Sequence, residues 1–362
     1  MKWLMAGLLI LFVLAGGFLL SPSPIDSKAW SPPLPPGLDG PLQPNERLRL
    51  ADLLAQGKVS GPEDTTVDQQ GRIYTGNADG RVLRLWPDGR VETWADTGGR
   101  PLGMVFDQQG NLIVADAAKG LLSIDRNGTV QVLTRESDGL PFHFTDDVSV
   151  APDGRIYFTD ASSRFGPDQY RLDLLEMRPH ARLLRYDPRT GSTETLMGNL
   201  FFANGVAVAP DGKSVLVNET WKYRILRYWL DGPKAGQADV FASNLPGFPD
   251  NLAVDRHGRY WVAFPTLRNG EVDTLHHQPW LKDLVAKLPE SMQPEVQEYG
   301  LVVAYDEHGK ALLSLHDTNG SHLKEITSVN PVGGVLYFGS LHNNRIGRLS
   351  LRAIPGLGDL QP

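Results

Sequence analysis

Val150-Ala-Pro-Asp-Gly-Arg-Ile-Tyr157 decides the fold: a β-branched residue leads into an Asp-Gly turn, and an apolar strand follows at once. Asp suits the turn because its carboxylate bonds nearby backbone amides, and Gly because it tolerates the positive φ that closes a hairpin. The phrase recurs as Thr66-Val-Asp-Gln-Gln-Gly-Arg-Ile-Tyr74, Val105-Phe-Asp-Gln-Gln-Gly-Asn-Leu-Ile113, Val208-Ala-Pro-Asp-Gly-Lys-Ser-Val215, Val254-Asp-Arg-His-Gly-Arg-Tyr-Trp261 and, most loosely, Val329-Asn-Pro-Val-Gly-Gly-Val-Leu-Tyr337. A further apolar run follows each copy, at 82–86, 121–125, 183–187, 225–229, 302–306 and 346–349. Units of three or four antiparallel strands spaced by roughly 40 to 60 residues are the mark of propeller blades around a channel. The expectation is therefore an all-β, six-bladed β-propeller over residues 46–352, with a two-sheet sandwich as the rival. The last unit runs out of chain before its outer strand. Glu46 to Leu53 is expected to supply that strand and close the ring, removing exposed sheet edges.

The bulk composition agrees. With 362 residues, 41% hydrophobic content, 38 Gly and 27 Pro, the chain suits one globular unit made of many short elements. A formal charge of −7 without a basic run argues against a nucleic-acid partner. Cysteine is absent, which excludes disulfides and thiolate metal sites.

Residues 1–20 stand apart. After Lys2, Trp3 to Leu20 carries no charge and is near the lower limit for a bilayer-spanning helix. It reads as a transmembrane anchor or a signal segment. The absence of a small-x-small cleavage site before Ser21 favours the anchor. Lys2 then leaves the N-terminus in the cytoplasm and the propeller on the extracytoplasmic side, periplasmic or lumenal. Residues 21–45, rich in Pro, read as a stiff linker that lifts the propeller off the bilayer. Residues 353–362 are a tail.

Two insertions break the spacing, at 164–180 and 268–299. The second contains Pro279 followed by Trp280, Leu281, Leu284, Val285 and Leu288 on one helical face. That face either packs inward, caps the pore or rests on a membrane.

Counting eight residues back from the turn glycines Gly71, Gly154, Gly212 and Gly258 gives Glu63, Asp146, Asn204 and Asp250. The second unit has Leu102 there instead. Propeller symmetry would bring these four positions together at the channel axis. Converging carboxylates repel one another unless a cation lies between them, and an all-oxygen set of Asp, Glu and Asn matches a hard cation with an adaptable shell, calcium ahead of magnesium. Asp64, Asp147 and Asn251 come next in the chain; because successive strand residues face opposite ways, they are candidates for a second buried site. A polar residue opening a strand also commonly bonds turn amides, so the metal either takes part in chemistry or staples the blades.

Around these positions, Gly61-Pro-Glu-Asp64, Phe144-Thr-Asp-Asp-Val148, Phe202-Ala-Asn-Gly-Val-Ala-Val-Ala-Pro-Asp-Gly212 and Phe248-Pro-Asp-Asn-Leu-Ala-Val-Asp255 resemble the superfamily joining strictosidine synthase-like proteins, paraoxonases and the gluconolactonase/regucalcin group. Gly99-Arg-Pro-Leu-Gly103, Tyr223-Arg-Ile-Leu-Arg-Tyr-Trp-Leu230 and Leu336-Tyr-Phe-Gly-Ser-Leu-His342 resemble its strictosidine synthase-like/adipocyte plasma membrane-associated branch. By resemblance to the paraoxonases, Glu63, Asp146, Asn204, Asp250 and Asn251 would hold a catalytic calcium, and Asp64 and Asp147 a structural one. Asp146 departs from the paraoxonase pattern, which has Asn. The catalytic Glu of strictosidine synthase would fall near Thr327, so condensation of an amine with an aldehyde is not expected. The paraoxonase histidine pair is not evident, and Asp116 stands at one of its positions.

The leading expectation is a metal-dependent hydrolase of small-molecule esters or lactones, the cation polarising a carbonyl or a water and Asp250 or Glu63 acting as base or nucleophile. His143, beside Asp146, either shuttles a proton or is a satisfied turn histidine. No Gly-x-Ser-x-Gly elbow supports a serine hydrolase. The rival class is a non-catalytic propeller that binds a ligand or protein, its metal structural.

Overall fold

The computed structural model describes residues 16–354, with Trp3 and Met5 besides. Six four-stranded antiparallel sheets follow one another along the chain as blades one to six. Their innermost strands are Thr65–Val67, Pro101–Phe106, Thr145–Val150, Ala203–Val208, Leu252–Val254 and Ile326–Val332. Each repeat glycine turns the chain from the first strand to the second; Gly154, for example, has φ +86°, a region that β-carbons disfavour.

The ring closes as the sequence implies, with a shorter strand. Asp52–Leu54 forms the outer strand of blade six, in register Asp52 with Arg348, Leu53 with Gly347 and Leu54 with Ile346. Arg47–Leu50, expected to extend that strand, is instead a 3-10 turn. The turn carries Leu48 inward, where it is fully buried against Trp261, Val302 and Phe338 between blades five and six.

Most buried apolar side chains fall into clusters between neighbouring blades. Tyr74 and Val82 meet Met104 and Leu112 between blades one and two, and Ile113 and Leu121 meet Ile156 and Phe158 between two and three. Ile73, Leu85 and Ile346 complete the circle between blades one and six. A strand covered on both faces has no polar side, which is why Leu112–Asp116 is buried at every position.

The insertions are helical. Residues 164–180 contain helix α1 (Tyr170–Glu176), and residues 268–299 contain α2 (Gly270–Leu275) and α3 (Pro279–Val285). The apolar face of α3 packs only in part: Val285 is half-buried against Ile25, Phe165 and Leu175, Trp280 is 65% exposed, and the fully buried positions are Lys282 and Ala286. Lys282 is accommodated because its ammonium donates to the carbonyl of Lys28.

That carbonyl belongs to the Pro-rich segment, which is docked rather than free. Ile25 packs with Phe165, Leu175 and Ala286, and backbone N–H groups of Lys28 and Trp30 donate to the carbonyls of Glu176 and His276 at 2.9 Å each. His276, in the 268–299 insertion, is buried beneath Trp30. Most of the anchor expected over 1–20 and of the tail over 353–362 lies outside the described residues. Among the described residues no helix is long and apolar enough to cross a membrane.

Candidate metal centre and cavity

Each of the four offset residues stands at or just before the start of an innermost strand, and at two of them the pairing register is irregular. Register shifts separate Thr145 from Val148 and Ala203 from Val206. Such irregularities re-aim side chains at the end of a ladder, here those of Asp146 and Asn204. Close blade approach needs glycine: a Cβ on Gly205 would collide with the Asp250 carbonyl and the Leu252 amide.

Glu63, Asp146, Asn204 and Asp250 all line one cavity of about 750 Å³. Its walls carry Leu102, Phe144, Phe202, Trp221 and Phe248, and the 268–299 insertion contributes the stretch Gln293 to Glu298. Leu102, the unit-two residue at the ligand offset, is thus part of the apolar wall. Asn251 sits behind Asp250 and donates from Nδ2 to Glu63 Oε1 at 3.0 Å.

The oxygens are short of donors. Glu63 Oε2, Asn204 Oδ1, Asn218 Oδ1 and Asn251 Oδ1 are buried without a hydrogen-bond partner. Leaving one such acceptor bare costs about 1–3 kcal/mol, so a group of acceptors calls for something positive. Protons answer part of that demand. Burial, then the charges of Asp250, Asp64 and Asp146, push the Glu63 carboxyl well above the usual range, against the pull of Arg100. Burial, then Asp250 and Asp147, raise Asp146 likewise. Burial lifts Asp250 to about 8, with the Asn204 amide and the Asn251 N–H opposing it. Among the described residues, no group of three or more His, Asp or Glu side chains suffices by itself to hold a metal ion. The acids are interleaved with amides, and acceptor oxygens of both kinds make up the set.

Asp64 and Asp147 do something different. Asp64 accepts from the Met104 N–H at 2.8 Å and from Asn330 Nδ2 at 2.6 Å, while Asp147 accepts from the Val148 and Val206 N–H groups at 2.8 Å each. Met104 and Val206 belong to the next blades, so each carboxylate pins its neighbour's innermost strand. Neither lines the cavity. Burial lifts Asp64 to about 6, and burial followed by the Asp64 charge raises Asp147.

His143 is exposed and not among the cavity's lining residues, and its backbone N–H donates to Asp160 Oδ1. Asp116 also lies off the cavity, accepting from the backbone of Arg100, Ala118 and Lys119. Thr327 does line it, and its hydroxyl donates to the Glu63 carbonyl at 2.6 Å. Sequence reasoning passed over Arg100, Glu325 and His342 as cavity groups. Arg100 and His342 lie in two motifs valued for resemblance and not for chemistry. Arg100 anchors its Nη2 on the Gly61 carbonyl, while Nη1 is buried without a partner.

Comparison with known proteins places this geometry. A family model described as strictosidine synthase matches residues 146–233, and one described as strictosidine synthase-like, N-terminal, matches residues 40–85. Adipocyte plasma membrane-associated protein of Rattus norvegicus is 36% identical over 378 residues, covering 98% of this chain and 100% of the relative.

The chain belongs to the strictosidine synthase-like family.

Protein STRICTOSIDINE SYNTHASE-LIKE 6 of Arabidopsis thaliana is 38% identical over 320 residues, covering 86% of this chain and 85% of that one. Among solved structures, a gluconolactonase from Xanthomonas campestris superposes with TM-score 0.62 at 20% identity, over 91% of this strictosidine synthase-like chain and 99% of the other. The calcium-binding protein regucalcin from Agrobacterium tumefaciens gives 0.59 at 17% identity, over 83% and 93%. At those identities the likeness establishes the propeller fold.

Proposed function

We infer that the protein is a calcium-dependent hydrolase of esters or lactones working in the central cavity. The observation that carries this reading is the set of buried, unpartnered acceptor oxygens around Glu63 and Asn204 at a cavity whose walls are otherwise largely apolar. Glu63, Asp146, Asn204, Asp250 and Asn251 would hold the ion. Bound there, calcium supplies Lewis acidity toward a carbonyl or a water. The gluconolactonase and calcium-binding regucalcin among its structural neighbours support this choice of chemistry and of ion.

The chain's own groups do the rest. Arg100 Nη1, lacking an internal partner, is a donor for an acyl oxygen or for the carboxylate product. Phe144, Phe202, Trp221 and Phe248 bind an apolar acyl or alcohol portion and limit water to the polar side of the cavity. Asp250 or Glu63 serves as base or nucleophile in its ionised form. Asp64 and Asp147 hold the blades in the register that keeps the oxygens together, and a second, structural calcium would bind at these two residues.

The substrate is membrane-derived on this reading. The Lys287 ammonium donates to the carbonyls of Phe18, Leu19 and Ser21, so the 268–299 insertion, whose later residues help line the cavity, sits where the N-terminal apolar segment ends. Trp280 and Met292 on that insertion are 65% and 66% exposed. The segment anchors the chain, with the propeller extracytoplasmic, and plasma membrane association in the relatives' names supports this.

Hydrolysis of phenyl acetate and a lactone panel, with and without chelator, tests the proposal. Turnover lost on chelation and in Asn204→Ala, with the fold retained, is the expected result. No turnover across the panel, with calcium only raising thermal stability, would favour a binding propeller with a structural metal. The inter-blade role of Asp64 and Asp147 is the observation that supports this second reading.

A further inference from the structure

The chain has nine histidines, and among the described residues His342 is the only one lining the cavity. Its Nδ1 hydrogen bonds to Glu325 Oε2, and Glu325 lines the same cavity. The geometry points to His342 and Glu325 as a catalytic dyad, His342 carrying protons between water and an acyl substrate and Glu325 orienting it. This inference rests on the hydrolase reading and moves the general-base role from Asp250 or Glu63, which would hold the ion, to His342.

The segment carrying His342 is fixed against the strand that delivers Glu63. Ser340 N–H donates to the Pro62 carbonyl at 2.8 Å, and Gly61 N–H donates to the Asn343 carbonyl at 2.9 Å, bracketing His342 on both sides. On the other strand of the blade, Thr327, two residues after Glu325, donates to the Glu63 carbonyl. Both members of the dyad are thus tied to the backbone of one cavity carboxylate.

Glu325 is held in a costly conformation. Its φ is +47°, a region that residues other than glycine seldom occupy, and its N–H donates to the Tyr299 carbonyl at 2.9 Å. Strain of this kind persists where surrounding contacts over-determine it, and it concentrates at working sites. The charged groups facing Glu325 are His342, Lys324 and Arg171, and Lys324 is itself paired with Glu298. Burial alone would raise the Glu325 carboxyl, but these cations and the imidazole hydrogen bond hold it below its ordinary value. An ionised carboxylate only accepts, so Nδ1 must carry the ring proton when His342 is neutral. The lone pair then resides on Nε2. Nε2 makes no hydrogen bond among the described residues, and the side chain is 60% exposed, open to proton exchange with solvent.

The step balances without any further reactant. Nε2 takes one proton of a water as its oxygen bonds the acyl carbon. It returns that proton to the alkoxide oxygen as the acyl C–O bond breaks, and the carboxylic acid formed releases its remaining proton to solvent. In a lactone, acid and alcohol remain in one molecule.

The test uses the full chain in detergent with calcium, comparing wild type, His342→Gln and Glu325→Gln on phenyl acetate and lactones. His342→Gln is expected to lower kcat about 100-fold or more, within the usual range for a lost general base, with KM little changed and the melting temperature retained. Its pH profile should lose one limb, and added imidazole should restore part of kcat. Glu325→Gln should lower kcat less and shift the same limb. Wild-type turnover that His342→Gln leaves intact, or a loss that imidazole does not rescue, overturns the dyad while leaving the hydrolase standing. No wild-type turnover overturns the hydrolase and the dyad together.

Discussion

Asn251 Nδ2 lies 3.0 Å from Glu63 Oε1, although 188 residues separate the two in the chain. The bond joins blade five to blade one next to the cavity and leaves Glu63 Oε2 and Asn251 Oδ1 bare. Two oxygens so arranged, beside acids that burial disfavours in ionised form, make the site's charge state part of the protein's stability.

The pH dependence follows from the raised carboxyls. Glu63, Asp146 and Asp147 are raised, Asp64 to about 6 and Asp250 to about 8. The folded state therefore binds more protons than the unfolded one between the ordinary carboxylate range and about pH 8. This contribution to stability is complete below about pH 4 and is lost as pH rises through those values. In chelator, the melting temperature should fall from pH 5 to pH 8. Calcium favours the ionised acids, so the gap between melting temperatures with and without calcium should widen with pH. A gap that is constant or narrows would contradict the account.

Asp147 makes a distinct prediction. Asp147→Ala leaves the Val206 N–H, an innermost-strand amide of blade four, buried without its acceptor, a loss of about 1–3 kcal/mol. Asp147→Asn keeps an acceptor and removes the charge that burial penalises, so it should lose less. Urea unfolding in chelator measures both, and an Asn variant as unstable as the Ala variant would show that the charge itself matters.

The exposed face of the insertion predicts lipid binding beyond the N-terminal segment. A chain beginning at Ser21 should float with phospholipid vesicles. Trp280→Ser combined with Met292→Ser should weaken that binding about tenfold or more, since burying one large apolar side chain is worth about 1.5–3 kcal/mol. Unchanged flotation with an unchanged circular dichroism spectrum would remove the membrane from the proposal.

Much of this architecture is written in short-range chemistry. Turn glycines close six hairpins, five of them with an Asp one to three residues ahead, and an offset of eight residues from four of these glycines finds four side chains that share a cavity. Other features depend on partners that no local pattern names. The apolar face of α3 follows a packing period, yet Lys282 is the buried residue because a carbonyl 254 positions away receives its ammonium. The Pro-rich segment shows no periodicity, and backbone hydrogen bonds to distant carbonyls dock it. Glu325 and His342 lie 17 residues apart in the loosest repeat, on either side of a hairpin, so only the folded blade shows that they touch. His143 resembled a site residue through its closeness in sequence to Asp146, but its side chain belongs to the exposed surface.

Calorimetric titration of calcium into the chelator-stripped chain, alongside Glu63→Gln and Asn204→Ala, addresses the cavity oxygens most directly. Saturable binding that weakens at least tenfold in both variants, with proton release near pH 7 as the raised carboxyls ionise, is the expected outcome. Binding that neither substitution alters, or no binding in a folded chain, would mean that these oxygens do not serve a cation.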